Sequence, residues 1–160
     1  MNLKDIELVM LDGSTKTFGE IQGKVTMVVN VASRCGLSPQ YETLEAMHKK
    51  YKDKGFTVVG VPSSQFFQEL SSSDDISEYC STTWGVTFPM TEKAKVNGKN
   101  AHPLYKELTK AEDADGDAGK VKWNFEKFLV LANGEVMRFR PTTKPDAAPI
   151  IEAIEANLAK

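Results

Sequence analysis

The chain has 160 residues, 41% of them hydrophobic and 26% charged, with a net charge of -2. That length suits one domain spanning residues 1–160, able to bury roughly two-thirds of its unfolded surface without disulfide or metal staples. The near-neutral balance gives no reason to expect nucleic acid or an anionic membrane as partner. No apolar run approaches a membrane span, and residues 1–5 lack a signal-peptide core, so a cytoplasmic setting is expected. In a reducing compartment, two cysteines suit transient redox chemistry or none better than a permanent disulfide.

Residues 6–11 and 14–18, separated by Asp12-Gly13, read as an N-terminal hairpin, and residues 24–32 as a buried strand. Ser38 is placed to cap a helix beginning at Pro39, with Tyr41, Leu44, Met47 and Tyr51 on one face and Gly55 as its stop. Residues 56–61 form a second buried strand ending at Pro62. Ser73, Asp74 and Asp75 open a helix through Ile76, Tyr79 and Cys80 that closes near Gly85. A third helical piece covers 103–111. Residues 125–131 and 135–139 around Asn133-Gly134 form a second hairpin, and 145–159 a last amphipathic helix. This order predicts an α/β fold: a central mixed sheet flanked by helices, with the hairpin at its N-terminus.

Cys35 follows the apolar run of residues 25–29, where a strand hands over to a loop and a helix. There, backbone N–H groups and the positive end of a helix dipole favour the reactive thiolate. The same position also suits a small packed hydrophobe. Cys80 falls near the apolar positions Ile76 and Tyr79, as a half-buried helix residue would. No zinc site is expected: His48 lies among lysines on a helix surface, and His102 stands before Pro103 at a helix start. Asp113 to Asp117 resembles the start of a calcium loop, but its glycine stands at position four and position twelve is Asn124, so it reads as a solvated loop. No metal or organic cofactor is expected.

Four blocks, taken together and in order, resemble the glutathione peroxidase family in its bacterial, cysteine-containing form. They are Asn30-Val31-Ala32-Ser33-Arg34-Cys35-Gly36, Thr83-Trp84-Gly85-Val86-Thr87-Phe88-Pro89-Met90, Val96-Asn97-Gly98 with His102-Pro103-Leu104-Tyr105, and Trp123-Asn124-Phe125-Glu126-Lys127-Phe128-Leu129-Val130. The resemblance spans about Ile6 to Lys160. It implies a thioredoxin-like fold and reduction of hydrogen peroxide and organic or lipid hydroperoxides to water or alcohols by a thiol. The peroxide-attacking residue is then Cys35, and Gln65, Trp123 and Asn124 complete the family's catalytic tetrad. Such an attack needs a stabilised thiolate, donors for the developing negative charge and a proton for the leaving group. A side-chain amide and an indole N–H can both donate to sulfur.

The resemblance further implies a sulfenic acid on Cys35, resolved as a disulfide by Cys80, although Ser81 competes for the family's position when counted back from Pro89. Thioredoxin is the implied reductant, with glutathione the other donor in the family. The short acidic stretch of residues 110–122 implies a monomer with an open site. The chain departs from its relatives after the second strand. They show Pro-Cys-Asn-Gln-Phe-Gly-Gly-Gln-Glu-Pro, whereas here Pro62-Ser63-Ser64-Gln65-Phe66-Phe67-Gln68-Glu69-Leu70 is one residue shorter and lacks both glycines and the cysteine. Gln65 is the favoured catalytic amide and Gln68 the fallback. A dithiol oxidoreductase is disfavoured because Cys35 is followed by Gly36-Leu37-Ser38, not by a second cysteine. A non-enzymatic sensor using a Cys35–Cys80 switch is the other reading.

Overall fold

The computed structural model describes residues 2–67 and 69–160. Strands β1 (Glu7–Val9) and β2 (Thr15–Thr17) pair antiparallel. The Asp12 carboxylate accepts from the N–H and hydroxyl of Ser14 and so shapes the turn between them. This hairpin is shorter than the apolar pattern suggests. After β2 the chain winds at once into a single helical turn, α1 (Phe18–Ile21), started by a reciprocal capping box between Thr17 and Glu20.

Strand β3 (Val25–Val31) forms the middle of the main sheet, and all seven of its residues are buried. It runs parallel to β4 (Phe56–Pro62) and antiparallel to β5 (Lys127–Leu131), and β5 pairs antiparallel with β6 (Val136–Phe139), giving the order β4-β3-β5-β6. Each face of β3 meets its own core, which is why the strand reads as an unbroken apolar run. Val25, Met27, Val29 and Val31 pack with Tyr41, Leu44, Met47 and Tyr51 of α2 (Gln40–Tyr51) and with Ile150 and Ile154 of α5 (Ala148–Leu158). Val28 packs on the other side with Phe128, with Leu8 of the hairpin, and with Leu104, Tyr105 and Leu108 of α4 (Pro103–Leu108).

Three expectations need correction. Ser38 does not cap α2: its hydroxyl donates to the Ala32 carbonyl at 2.8 Å, and the helix starts at Gln40 with Pro39 at the cap position. Ser38 therefore closes the turn around Cys35. His48 is not on a surface. It is 8% exposed, with Nδ1 accepting from the Val58 N–H at 3.3 Å, and burial lowers its pKa. The loop at Asp113 is not merely solvated. Its carboxylate accepts from the N–H groups of Asp115 and Asp117 and pairs with Arg140 at 2.8 Å, which holds it down at about 2.

Helix α2 runs into a 3-10 turn that Gly55 stops at φ 103°, as expected of that glycine. Helix α3 (Ser73–Tyr79) is capped by Ser72, whose side chain accepts from the Asp75 N–H at 3.1 Å. It gives way to a π-helical turn, Cys80–Trp84, that ends at Gly85 with φ 63°. Cys80 thus sits at the junction of two helical windings, a geometry often found at functional sites.

Candidate active site

The loop leaving the C-terminal end of β3 carries Cys35, 6% exposed. Two N–H groups face its sulfur. The indole Nε1 of Trp123 lies 3.2 Å away, and the backbone N–H of Leu37 lies 3.4 Å away. Helix α2 begins only at Gln40, so these donors, and not the first turn of that helix, surround the sulfur. Hydrogen bonds of this kind strengthen when the acceptor becomes an anion.

Trp123 is placed by β3 itself. Asn30, fully buried, donates from Nδ2 to the Trp123 carbonyl and accepts at Oδ1 from the Glu126 N–H, both at 3.0 Å; its carbonyl accepts from the Phe125 N–H. This clamp holds a segment in which Phe125 adopts φ 67°, an uncommon conformation for a residue with a Cβ. Below it, Glu126 bonds Arg138 and Arg140, and the Glu126–Arg138 pair is wholly buried. The indole is 38% exposed and tilts against Phe66, with ring centroids 5.3 Å apart. Asn124 is fully buried beside it.

Gln65 stands differently. Its Oε1 accepts from the N–H groups of Val96 and Asn97 at 2.6 and 2.9 Å, and its Nε2 donates to the Asn97 carbonyl at 3.2 Å. The amide thus ties the loop after β4 to residues 96–97 and does not donate to Cys35. Gln68 lies outside the described residues. Phe67, where relatives show glycine, keeps a positive φ of 60° and is 94% exposed.

Cys80 shares the apolar cluster of Cys35, and both are free thiols. It is 2% exposed, and burial pushes its thiol up to about 11. The chain beyond it is fastened to α2, since buried Glu45 accepts from the N–H and hydroxyl of Thr87. Among the described residues, no group of three or more His, Cys, Asp and Glu side chains is arranged to hold a metal ion.

Residues 3–109 match the family described as glutathione peroxidase. The chain belongs to the glutathione peroxidase family, and is by class a thiol peroxidase of thioredoxin-like fold. It is 48% identical over 143 residues to a hydroperoxy fatty acid reductase of Synechocystis, covering 85% of each chain. It is 43% identical to a thioredoxin/glutathione peroxidase of Escherichia coli, over 94% of this chain and 93% of the other. A crystal structure of Trgpx in apo form superposes with a TM-score of 0.78 at 33% identity, covering 100% of this chain and 97% of that one.

Sequence reasoning gave no role to Asn30, quoted only within the strand and the first family block, or to Glu69, whose carboxylate accepts from the Ser33 N–H and hydroxyl. Only the Asn30 clamp left a trace in the sequence, as a polar residue inside an apolar strand.

Proposed function

We propose that Cys35 attacks the terminal oxygen of a hydroperoxide. An S–O bond forms, the O–O bond breaks, the departing alkoxide or hydroxide takes a proton, and Cys35 becomes a sulfenic acid. The observation that carries this reading is the pair of N–H donors, from Trp123 and Leu37, converging on the sulfur in the loop after β3. Gln65 and Asn124 belong to the same catalytic set in this reading. Gln65 joins by exchanging its bonds to residues 96–97 for one to the reacting centre.

Cys80 then displaces the sulfenic hydroxyl to give a Cys35–Cys80 disulfide, which a dithiol protein of the thioredoxin type reduces. Similarity to the thioredoxin/glutathione peroxidase of Escherichia coli supports the reductant, and similarity to the hydroperoxy fatty acid reductase of Synechocystis supports fatty acid hydroperoxides among the substrates. Glutathione is the competing donor. The expected setting is a cytoplasmic monomer.

The deciding experiment couples NADPH oxidation to thioredoxin or to glutathione, with hydrogen peroxide and with a fatty acid hydroperoxide as substrates. Sustained turnover with thioredoxin and both peroxides is expected. In Cys80→Ser the same assay should stop after one oxidation of Cys35 per chain. Continued thioredoxin-driven turnover in that variant rules out the internal disulfide. A wild-type protein that oxidises once and stops is a sensor, not an enzyme.

A further inference from the structure

Glu69 is a largely buried carboxylate in the loop between β4 and α3. Its Oε1 accepts three hydrogen bonds: from the Ser33 N–H at 3.0 Å, the Ser33 hydroxyl at 2.5 Å and the Leu70 N–H at 2.8 Å. Ser33 stands two residues before Cys35. One oxygen of Glu69 is therefore fastened to the loop that bears the attacking sulfur.

The other oxygen, Oε2, is buried and has no hydrogen bond among the described residues. The Tyr41 hydroxyl, also buried and without a hydrogen bond that meets distance and angle criteria among the described residues, has the Cys80 thiol as its polar neighbour. Buried polar oxygens left unbonded are costly, and a retained one calls for an explanation. Cys80 has the complementary deficit. Burial above all keeps it as a thiol, against the opposing Tyr41 hydroxyl and with a smaller push from the Glu69 charge, whereas displacement at sulfur needs a thiolate or a base.

We propose that Glu69 is the proton carrier of the resolving step: Oε2 takes the Cys80 thiol proton as that sulfur attacks the Cys35 sulfenic acid, and delivers it to the departing hydroxide. The proposal rests on the reading that Cys80 resolves Cys35. The Cys80–Cys35 S–S bond forms, the S–O bond at Cys35 breaks, and hydroxide leaves with the thiol proton as water. Glu69 ends as the carboxylate it began as. No further oxidant is needed, since peroxide has already removed the two electrons from Cys35. The bonds from Ser33 to Oε1 keep the carboxylate beside the Cys35 loop while the chain beyond Leu70 carries Cys80 toward it.

Ser33 and Leu70 touch Glu69, and Lys93, Tyr41 and Cys80 are the titratable groups near enough to interact with its charge. Burial raises the Glu69 pKa above the usual carboxylate value, while the bonds from Ser33 and Leu70 and the Lys93 charge oppose the rise. A carboxylate tuned upward is closer to the range in which a base works at neutral pH.

The test mixes the reduced protein rapidly with hydrogen peroxide, quenches with a thiol-blocking reagent, and separates dithiol, sulfenic acid and disulfide by mass spectrometry across pH. Glu69→Gln keeps an oxygen for Ser33 but cannot carry a proton. Sulfenic acid should accumulate in it, disulfide formation should fall by roughly a hundredfold, and the acid limb of the wild-type pH profile should vanish. Disulfide formation at the wild-type rate with the limb intact overturns the proposal, as does faster formation, because the carboxylate would then only suppress the thiol.

Ser33→Ala removes the hydroxyl bond that lowers the Glu69 pKa, so the acid limb should move to higher pH. If Glu69→Gln does not fold, an unmoved limb in Ser33→Ala overturns the proposal alone. The two readings fail separately. A wild-type protein that forms no Cys35–Cys80 disulfide removes the reading beneath, whereas a disulfide that forms without regard to Glu69 removes only the carrier.

Discussion

Cys35 and Cys80 lie in one apolar core at 6% and 2% exposure, yet N–H groups of Leu37 and Trp123 face the first sulfur, while burial and the Glu69 charge keep the second protonated. Burial alone therefore does not distinguish the two thiols. The difference lies in polar groups aimed at sulfur. A thiol met by two N–H donors has them in place before substrate arrives, whereas a thiol in apolar packing waits for a conformational or proton-transfer event. Such a division suits two successive nucleophiles in one cycle.

The severest way to break the comparison is Cys35→Ser, which should reduce peroxide consumption to the uncatalysed background. A residual rate carried by Cys80 would show that the two thiols are not functionally distinct. Next comes Trp123→Phe, which keeps the ring against Phe66 and deletes the indole N–H. A hydrogen bond to a charged group contributes about 1.5–3 kcal/mol, so the rate constant for Cys35 oxidation should fall roughly 10- to 100-fold, as read by stopped-flow mixing.

The third test sharpens the other side of the contrast by linkage. The folded-state pKa of Cys80 is about 11 against an ordinary 9.0. The folded form thus holds its proton where the unfolded form releases it. The stability contributed by the protonated thiol is full below about pH 9 and lost as pH rises toward about 11. Denaturant titrations of wild type and Cys80→Ala should differ by about 2–3 kcal/mol more at pH 8 than at pH 11. The smallest effect is expected for Gln65→Ala. Its amide bonds residues 96–97, so stability should drop by about 1–3 kcal/mol while Cys35 oxidation slows less than in Trp123→Phe. An unchanged oxidation rate would remove the amide from the reacting set.

The main sheet was legible because β3 and β4 are covered on both faces and so show uninterrupted apolar runs. Helix α2 was legible through the spacing of Tyr41, Leu44, Met47 and Tyr51. Its start was not, because Ser38 offers its hydroxyl to the Ala32 carbonyl, a tertiary choice that no local signal announces. Helix α1 escaped notice because a single turn has little periodicity, although its capping box is written in Thr17 and Glu20. His48 was misplaced because the lysines around it suggest a wet face, whereas one imidazole bond to the β4 backbone draws it inward. In the site, family pattern pointed to Trp123, but the Asn30 clamp and the Glu69–Ser33 tie join residues 96 and 36 positions apart, beyond the reach of any local pattern.

The bond between Trp123 and Cys35 joins residues 88 positions apart. Contacts of such sequence separation close late, because the loop-closure entropy must be met before they form. A growing chain that has not yet reached residue 123 carries Cys35 with neither its indole donor nor the β5 pairing that helps fix β3. In the proposed cycle, peroxide reactivity is in this way an end-of-folding property: an unfinished or misfolded copy carries Cys35 without the indole bond. The second half of the chain thus serves as a timer, completing the surroundings of the thiol only when the sheet is complete.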